Sequence, residues 1–275
     1  MSDKFKQKKI IAGGCSFTFG NELSDDVGGQ IHSKKTWAYR LANQISPVDT
    51  YVCRAEPGSG NPGIARRIYD EISKHPVEEI RGVTVMWSFL SRYDWAMPRH
   101  RLLEDSRWTT ISPWDTSMNS EEKNKMTSAS QVQTDWWNDR NALLQETGVK
   151  PFAEAIYKHA ANEYHEIYLS WKSIIWLQNI LEKKKIPFMF TLADNSLFYN
   201  VFEQHKDQDD FMTALHGEID FTKWFSFGER MMGFNQWATI EDYEYATTHP
   251  LDKAHEDAII LMKPKFEKLI GGKDD

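Results

Sequence analysis

Cysteine is scarce in this chain of 275 residues, where only Cys15 and Cys53 occur. Two cysteines exclude a disulfide-built scaffold and favour a reducing compartment. The nine histidines have no metal-ligand spacing and no cysteine partners. We therefore expect the protein to work without a metal or any other cofactor.

Long apolar runs are also missing, and no window approaches the roughly 20 apolar residues that a membrane span requires. The charged start at residues 1–6 is not typical of a signal peptide. The formal net charge is −7, so there is no basic field to hold nucleic acid or anionic lipid. The sequence predicts a cytoplasmic protein with no nucleic-acid partner and leaves its oligomeric state open.

Strand and helix patterns alternate along most of the chain. Short apolar runs predict buried strands, and three- and four-residue periodicity predicts helices between them. The strands are expected at 10–12, 50–53, 82–88 and 186–192, and the helices at 36–45, 64–72, 151–185 and from Pro250 onward. This order predicts an α/β protein with a mainly parallel sheet and right-handed crossovers, formed as one domain over 1–275.

Tryptophan is abundant, with eleven in the chain. Five of the eleven lie in residues 93–148, where the alternation of strand and helix patterns breaks. That segment is too long for a plain connection, so we interpret it as an inserted cap over the functional edge of the sheet. An oligomer interface is the alternative, because tryptophan is enriched there too. The residues concerned are Trp95, Trp108, Trp114, Trp136 and Trp137.

Polar and glycine-rich turns follow the predicted strands at the carboxyl edge, where open α/β sheets bind ligands. Ser16 follows the first strand, a glycine-rich turn at 57–63 follows the second, and 88–92 follows the third. A further loop brings His249 and His255 to the start of the last helix. A serine nucleophile needs a base, a group that orients the base, and donors for the oxyanion, so this edge is the predicted site.

The segment Gly14-Cys15-Ser16-Phe17-Thr18 resembles the first block of the SGNH (GDSL-like) hydrolase family, with Cys15 in place of the family's aspartate. The resemblance implies a flavodoxin-like three-layer α/β/α sandwich, with Ser16 as nucleophile and its backbone N–H as an oxyanion donor. Residues 57–64 are similar to the second block, where a glycine N–H serves the oxyanion hole, and Gly58 fits best. His249-Pro250 resembles the last block and implies His249 as the base.

The family's third block, Gly-x-Asn-Asp, is missing after the third strand. Residues 87–94 stand there instead and resemble a Trp-Ser…Ser-Arg variant of related bacterial and phage proteins. The missing asparagine donor must then be replaced by Ser88, Ser91 or Asn61. Arg92 is either an ion-pair partner or a clamp for a substrate anion, and Trp87 is a candidate substrate contact.

The acid that orients the histidine is also displaced, because Ala246 stands where the family has its aspartate, three residues before His249. Either Asp242 or Glu244 orients His249, or the site is a Ser-His dyad. A rival match is the literal Asp-x-x-His of 252–255, which makes His255 an alternative base and Asp252 an alternative acid.

Together these matches imply a serine esterase acting on a small acyl or O-acetyl ester, including esters carried on carbohydrate. The altered blocks keep open a non-catalytic SGNH-like binding or structural protein of a phage or surface-polysaccharide system. A nucleotide-binding flavodoxin-like module is a third alternative, although the turn at Ser16 lacks a phosphate-loop glycine pattern.

Overall fold

The computed structural model describes residues 7–97, 108–116, 146, 148–199 and 209–271. Six strands lie in these ranges, and four of them form a parallel sheet in the order β2-β1-β3-β6. The other two pair antiparallel as a separate hairpin, β4-β5. The strands are β1 (Lys9–Gly13), β2 (Thr50–Cys53), β3 (Ile80–Trp87), β4 (Tyr93–Ala96), β5 (Trp108–Ile111) and β6 (Phe188–Leu192).

Helices cover both faces of the parallel sheet and give three layers. The described α-helices are α1 (Ser16–Phe19), α2 (Trp37–Ile45), α3 (Asn61–Ser73), α4 (Val149–His159), α5 (Glu163–Lys183), α6 (Asp210–Gly217), α7 (Phe234–Ile240) and α8 (Asp252–Gly271). One face packs against α3 and α5, and the other against α2 and α8. The predicted α/β architecture with a parallel sheet is confirmed.

The central strand β3 explains why the sheet could be predicted. It is buried along nearly its whole length, and successive side chains enter opposite core layers. Val85 and Trp87 face the α3–α5 layer, whereas Met86 faces the α2–α8 layer. A strand covered on both faces is continuously apolar, as the sequence is here.

The helix predicted over 151–185 is in fact two helices, α4 and α5, separated at Ala160–Asn162. The break occurs because the side chain of Asn162 accepts a hydrogen bond from the backbone N–H of His165 at 2.9 Å and caps α5. Helix α8 also begins two residues later than predicted, at Asp252 rather than at Pro250. The apolar periodicity continues through the break between α4 and α5, so the periodicity alone does not indicate the capping residue.

The described part of the segment predicted as a cap is mainly the β4-β5 hairpin, which shares with α4 a small core that includes Tyr93 and Ile111. The hairpin lies against α3, where Arg66 donates to Asp94 at 2.9 and 3.0 Å and its guanidinium lies 4.5 Å from the Trp108 ring centre. Trp136 and Trp137 fall outside the described residues. The cap therefore stays a prediction.

No helix in the described ranges combines the length and the apolar character needed to cross a bilayer.

Candidate active site

Ser16 lies at the carboxyl end of β1, where the chain turns abruptly into α1. Gly14 makes this turn possible, since its φ of +154° and the crowding of Thr18 against its Cα leave no room for a side chain. Cys15 precedes the helix in extended conformation and is fully buried. Ser16 is 8% exposed, so its hydroxyl sits at the edge of the sheet in a nearly enclosed position.

His249 meets Ser16 across this edge. Its Nε2 lies 2.7 Å from Ser16 Oγ, and its ring centre lies 4.7 Å from that of Phe17. The loop that carries the histidine is fixed on itself, because the N–H of Ala246 donates to the His249 carbonyl at 2.9 Å. The base and the nucleophile predicted from the sequence are therefore in direct hydrogen-bond contact.

Glu22 is the acid that contacts the histidine, and sequence reasoning missed it. Its Oε2 lies 2.8 Å from His249 Nδ1 and also accepts from the backbone N–H groups of Thr248 and His249 at 2.9 and 3.1 Å. Burial alone would raise the pKa of Glu22, but the hydrogen bonds from His249 and Thr248 outweigh it and lower that pKa to about 2. The carboxylate is therefore ionised at neutral pH.

The ionised Glu22 fixes the tautomer of the histidine. A carboxylate only accepts hydrogen bonds, so Nδ1 of His249 carries the proton and Nε2 is left to accept from the Ser16 hydroxyl. Glu22 reaches this position from a left-handed backbone conformation with a φ of +66°. Strained backbone of this kind is concentrated at functional sites. The arrangement can remove a proton from Ser16 and hold the resulting imidazolium.

The acids predicted to orient His249 lie elsewhere. Asp242 and Glu244 are both exposed, and the carboxylate on His249 Nδ1 belongs to Glu22. Asp242 ends the turn after α7, where its N–H donates to the Thr239 carbonyl at 3.2 Å. The prediction of Asp242 or Glu244 as the orienting acid is therefore wrong, because the acid comes from the loop after Ser16.

The alternative pair of Asp252 and His255 is also separated from Ser16. His255 is 1% exposed and its Nδ1 accepts from the N–H of Trp37 at 3.1 Å. Burial lowers the pKa of His255 to about 3, with a further contribution from His249. Asp252 instead accepts from Ser24 Oγ at 2.6 Å and from Lys35 Nζ at 2.8 Å. His255 is a neutral core histidine, and Asp252 ties the Ser24 loop to α8.

The two backbone N–H groups predicted to be oxyanion donors belong to Ser16 and Gly58. The N–H of Ser16 belongs to the first residue of α1, and the N–H of Gly58 lies in the turn after β2. Neither N–H has an acceptor among the described residues. Gly58 has a φ of +78°, and nothing lies within 4 Å of where a side chain would begin. Both groups are free to donate, and their role as oxyanion donors stays a prediction.

The side chains predicted to assist them are occupied and buried. Asn61 is 1% exposed, and its Nδ2 donates to the Ser88 carbonyl at 3.1 Å and to Ser170 Oγ at 3.0 Å. Its Oδ1 accepts from the Ser88 N–H at 2.7 Å. Ser88 is 0% exposed, and its hydroxyl accepts from Arg92 Nη1 at 2.7 Å. Asn61 and Ser88 therefore join α3 to the end of β3 and do not face a substrate.

The two predicted substrate contacts differ. Trp87 is fully buried and packs edge-on against Phe190 at 5.2 Å between ring centres, so it is a core residue and the prediction is wrong. Arg92 is partly exposed, and its Nη1 donates to the Ser59 carbonyl at 3.2 Å. Arg92 thus lies beside the Gly58 turn.

Within the ranges that the structure describes, no three acidic, histidine or cysteine side chains are arranged to hold a metal ion. A cavity of about 300 Å³ opens between the turn after β2, α3 and the hairpin, lined by Arg54, Glu56, Arg67 and Asp94 among others. Its lining does not include Ser16 or His249.

Comparison with solved structures finds similar folds at very low sequence identity. A member of the lipolytic protein G-D-S-L family from Veillonella parvula is 11% identical, with a TM-score of 0.43, 97% of this chain and 100% of that chain being covered. A psychrotrophic esterase from Pseudoalteromonas sp. is 10% identical, with a TM-score of 0.45 and coverage of 97% and 100%. A carbohydrate acetylesterase family member from Sinorhizobium meliloti is 11% identical, with a TM-score of 0.43 and coverage of 96% and 100%.

The sequence itself matches no protein-family model and no curated protein.

Proposed function

We propose that this protein is a serine esterase whose catalytic residues are Ser16, His249 and Glu22. The observation that carries the proposal is the continuous hydrogen-bonded chain from Ser16 Oγ through His249 to Glu22, at 2.7 and 2.8 Å. A nucleophile, its base and an orienting carboxylate in that order form the unit that activates a serine.

The reaction follows from the positions of the protons. His249 Nε2 takes the proton from Ser16 Oγ as that oxygen attacks the ester carbonyl, and the imidazolium is stabilised by Glu22. His249 then gives the proton to the leaving alcohol, which leaves an acyl group on Ser16. Water attacks the acyl-enzyme with His249 again as base, and the acid is released.

The negative charge of each tetrahedral intermediate needs donors on one side of Ser16. The N–H groups of Ser16 and Gly58 serve this role, because they are fixed by the backbone and have no acceptor among the described residues. Fixed backbone donors require no reorganisation when charge develops. The substrate class is a small acyl or O-acetyl ester, including esters on carbohydrate, and no cofactor takes part.

The test is covalent labelling with an alkyl phosphonate that reacts with activated serines, followed by mass spectrometry. The wild type is expected to gain one phosphonyl group on Ser16 and to hydrolyse p-nitrophenyl acetate. Ser16→Ala and His249→Ala should lose both properties while keeping the circular-dichroism spectrum of the wild type. Ser73→Ala, which changes an exposed serine at the end of α3, is the matched control and should label normally.

Absence of labelling and of hydrolysis in the folded wild type would contradict the proposal. That result would favour the non-catalytic alternative, a binding or structural protein of a phage or surface-polysaccharide system.

A further inference from the structure

Arg92 has a guanidinium group with no acidic partner in the part of the chain that the structure describes. Its Nη1 donates to the Ser59 carbonyl at 3.2 Å and to Ser88 Oγ at 2.7 Å. Among the described residues, its Nε and Nη2 have no hydrogen-bond acceptor, and no carboxylate oxygen lies within 4.0 Å of the guanidinium nitrogens. Arg66 provides the contrast, because two of its nitrogens bind the Asp94 carboxylate at 2.9 and 3.0 Å.

A series of aromatic contacts runs from the guanidinium to the proposed base. Its central carbon is 4.9 Å from the ring centre of Phe89. That ring is 6.0 Å from Phe17, and Phe17 is 4.7 Å from the ring of His249. These contacts link the cation to the base through two aromatic rings, and Nη1 also reaches the carbonyl of Ser59, the residue after Gly58.

We infer that Arg92 binds a carboxylate of the substrate through Nε and Nη2, so that the ester is an anionic one. This inference rests on the proposed esterase function and adds the class of substrate. Nη1 is already anchored, which leaves one edge of the planar group to meet a carboxylate with two parallel hydrogen bonds. The anchoring bonds and the Phe89 ring hold the guanidinium in place, so little side-chain freedom is lost on binding.

A carboxylate could lie on the acyl side of the ester or on the alcohol side, and two matched pairs of substrates separate these cases. On the acyl side, p-nitrophenyl hemisuccinate is compared with p-nitrophenyl butyrate. On the alcohol side, 4-acetoxybenzoate is compared with 4-acetoxybenzamide. The wild type is expected to prefer the anion in one pair by at least about tenfold in kcat/KM, the value of one good charge-assisted hydrogen bond.

Arg92→Gln should remove that preference mainly through KM and should change the neutral ester of the same pair by less than about threefold. Arg92→Lys, which keeps the charge but lacks the fork, should retain only part of the preference. Lys74→Gln is the control for general electrostatics, because it removes one positive charge just beyond the far end of α3. It should behave as the wild type, and the preference should weaken as salt is raised.

An equal loss on neutral and anionic esters in Arg92→Gln would overturn the inference, since Arg92 would then only support Ser59 and Ser88. The lack of any anion preference in the wild type would also overturn it, while leaving the esterase proposal intact. Calorimetric binding of 4-acetamidobenzoate, which cannot be hydrolysed as an ester, covers the alcohol side, and 4-nitrophenylsuccinamate covers the acyl side. One of the two must bind at least about tenfold more weakly to Arg92→Gln than to the wild type, even if catalysis is absent; equal binding of both would refute the inference.

Discussion

The carboxylate of Glu22 lies 2.8 Å from His249 Nδ1, although 227 residues separate the two along the chain. The loop after the nucleophile therefore supplies the acid to a histidine at the start of the last helix. The contacts from His249 and Thr248 converge on one oxygen of this acid, Oε2, which Thr248 approaches through both its backbone and its hydroxyl. The side chain of Glu22 therefore both orients the His249 ring and joins the loop after Ser16 to the loop before α8.

Replacement of Glu22 by Gln is the first prediction. The amide keeps the size of the side chain but removes the charge that stabilises the imidazolium and selects the Nδ1 tautomer. We expect kcat for p-nitrophenyl acetate to fall by about 10²–10⁴-fold, as when the acid of a serine triad is neutralised. Asp242→Asn and Glu244→Gln are matched controls and should remain within about threefold. A larger loss of kcat in either control would assign the orientation of His249 to an acid in the loop before it.

The proximity of Ser16 and His249 could be predicted because each lies at the junction of a regular element with a short polar motif. The role of Glu22 could not. It depends on a left-handed residue in a loop and on the return of α8 beside α2, and neither leaves a spacing pattern in the sequence. A carboxylate six residues after the serine has the same local signature as any acid of a solvated loop.

Trp87 and Asn61 show a second limit of the sequence. The continuous apolar run of β3 predicts burial, and this same burial excludes Trp87 from a substrate contact. Asn61 follows a glycine-rich turn, as an oxyanion donor would, but its amide is used by the backbone of Ser88. Residue type and position indicate which groups reach the edge of the sheet, whereas the hydrogen-bond partners decide which remain available.

The pH dependence of stability is the second prediction and concerns His255. Its folded pKa of about 3 lies below the ordinary 6.5, so the unfolded chain binds one more proton between these values. The stability that the neutral ring contributes is therefore present above about pH 6.5 and is lost as the pH falls towards 3. We expect a loss of about 1.4 kcal/mol per pH unit from this group within that window.

Urea unfolding of the wild type and of His255→Gln at pH 7, 6 and 5 measures this loss. The difference in unfolding free energy between the two proteins should shrink as the pH falls, because glutamine does not titrate. A difference that stays constant would show that His255 does not carry the pH dependence. The turnover of His255→Gln at pH 7 should fall far less than that of His249→Ala.

Asn61 is predicted to contribute to stability and not to turnover. Asn61→Ala leaves the N–H and carbonyl of Ser88 and the hydroxyl of Ser170 without their partner, which should cost at least about 2 kcal/mol of unfolding free energy. Asn43→Ala, on the exposed side of α2, is the control and should stay within about 0.5 kcal/mol. Well below its melting temperature, Asn61→Ala should keep kcat within about tenfold. A loss of 10²–10³-fold in the folded variant would restore Asn61 as an oxyanion donor.

The last prediction compares two glycines of one turn. A Cβ on Gly60 would collide with the carbonyl of Arg92, and backbone would have to move to admit it. A Cβ on Gly58 would meet nothing within 4 Å, but its φ of +78° strains any other residue. We expect Gly60→Ala to cost about 3 kcal/mol of unfolding free energy, through steric overlap, and Gly58→Ala about 1 kcal/mol, through the backbone alone.

Activity should separate the same two variants more sharply than stability does. Gly60→Ala displaces the backbone of Arg92, so kcat/KM for the preferred anionic ester should fall further than for its neutral partner. Gly58→Ala retains the N–H proposed to bind the oxyanion, and any loss should fall equally on both esters, because the oxyanion forms in each. If the ratio of kcat/KM for the anionic ester to kcat/KM for the neutral ester is the same in both variants, the contact between Gly60 and Arg92 does not set the position of the guanidinium.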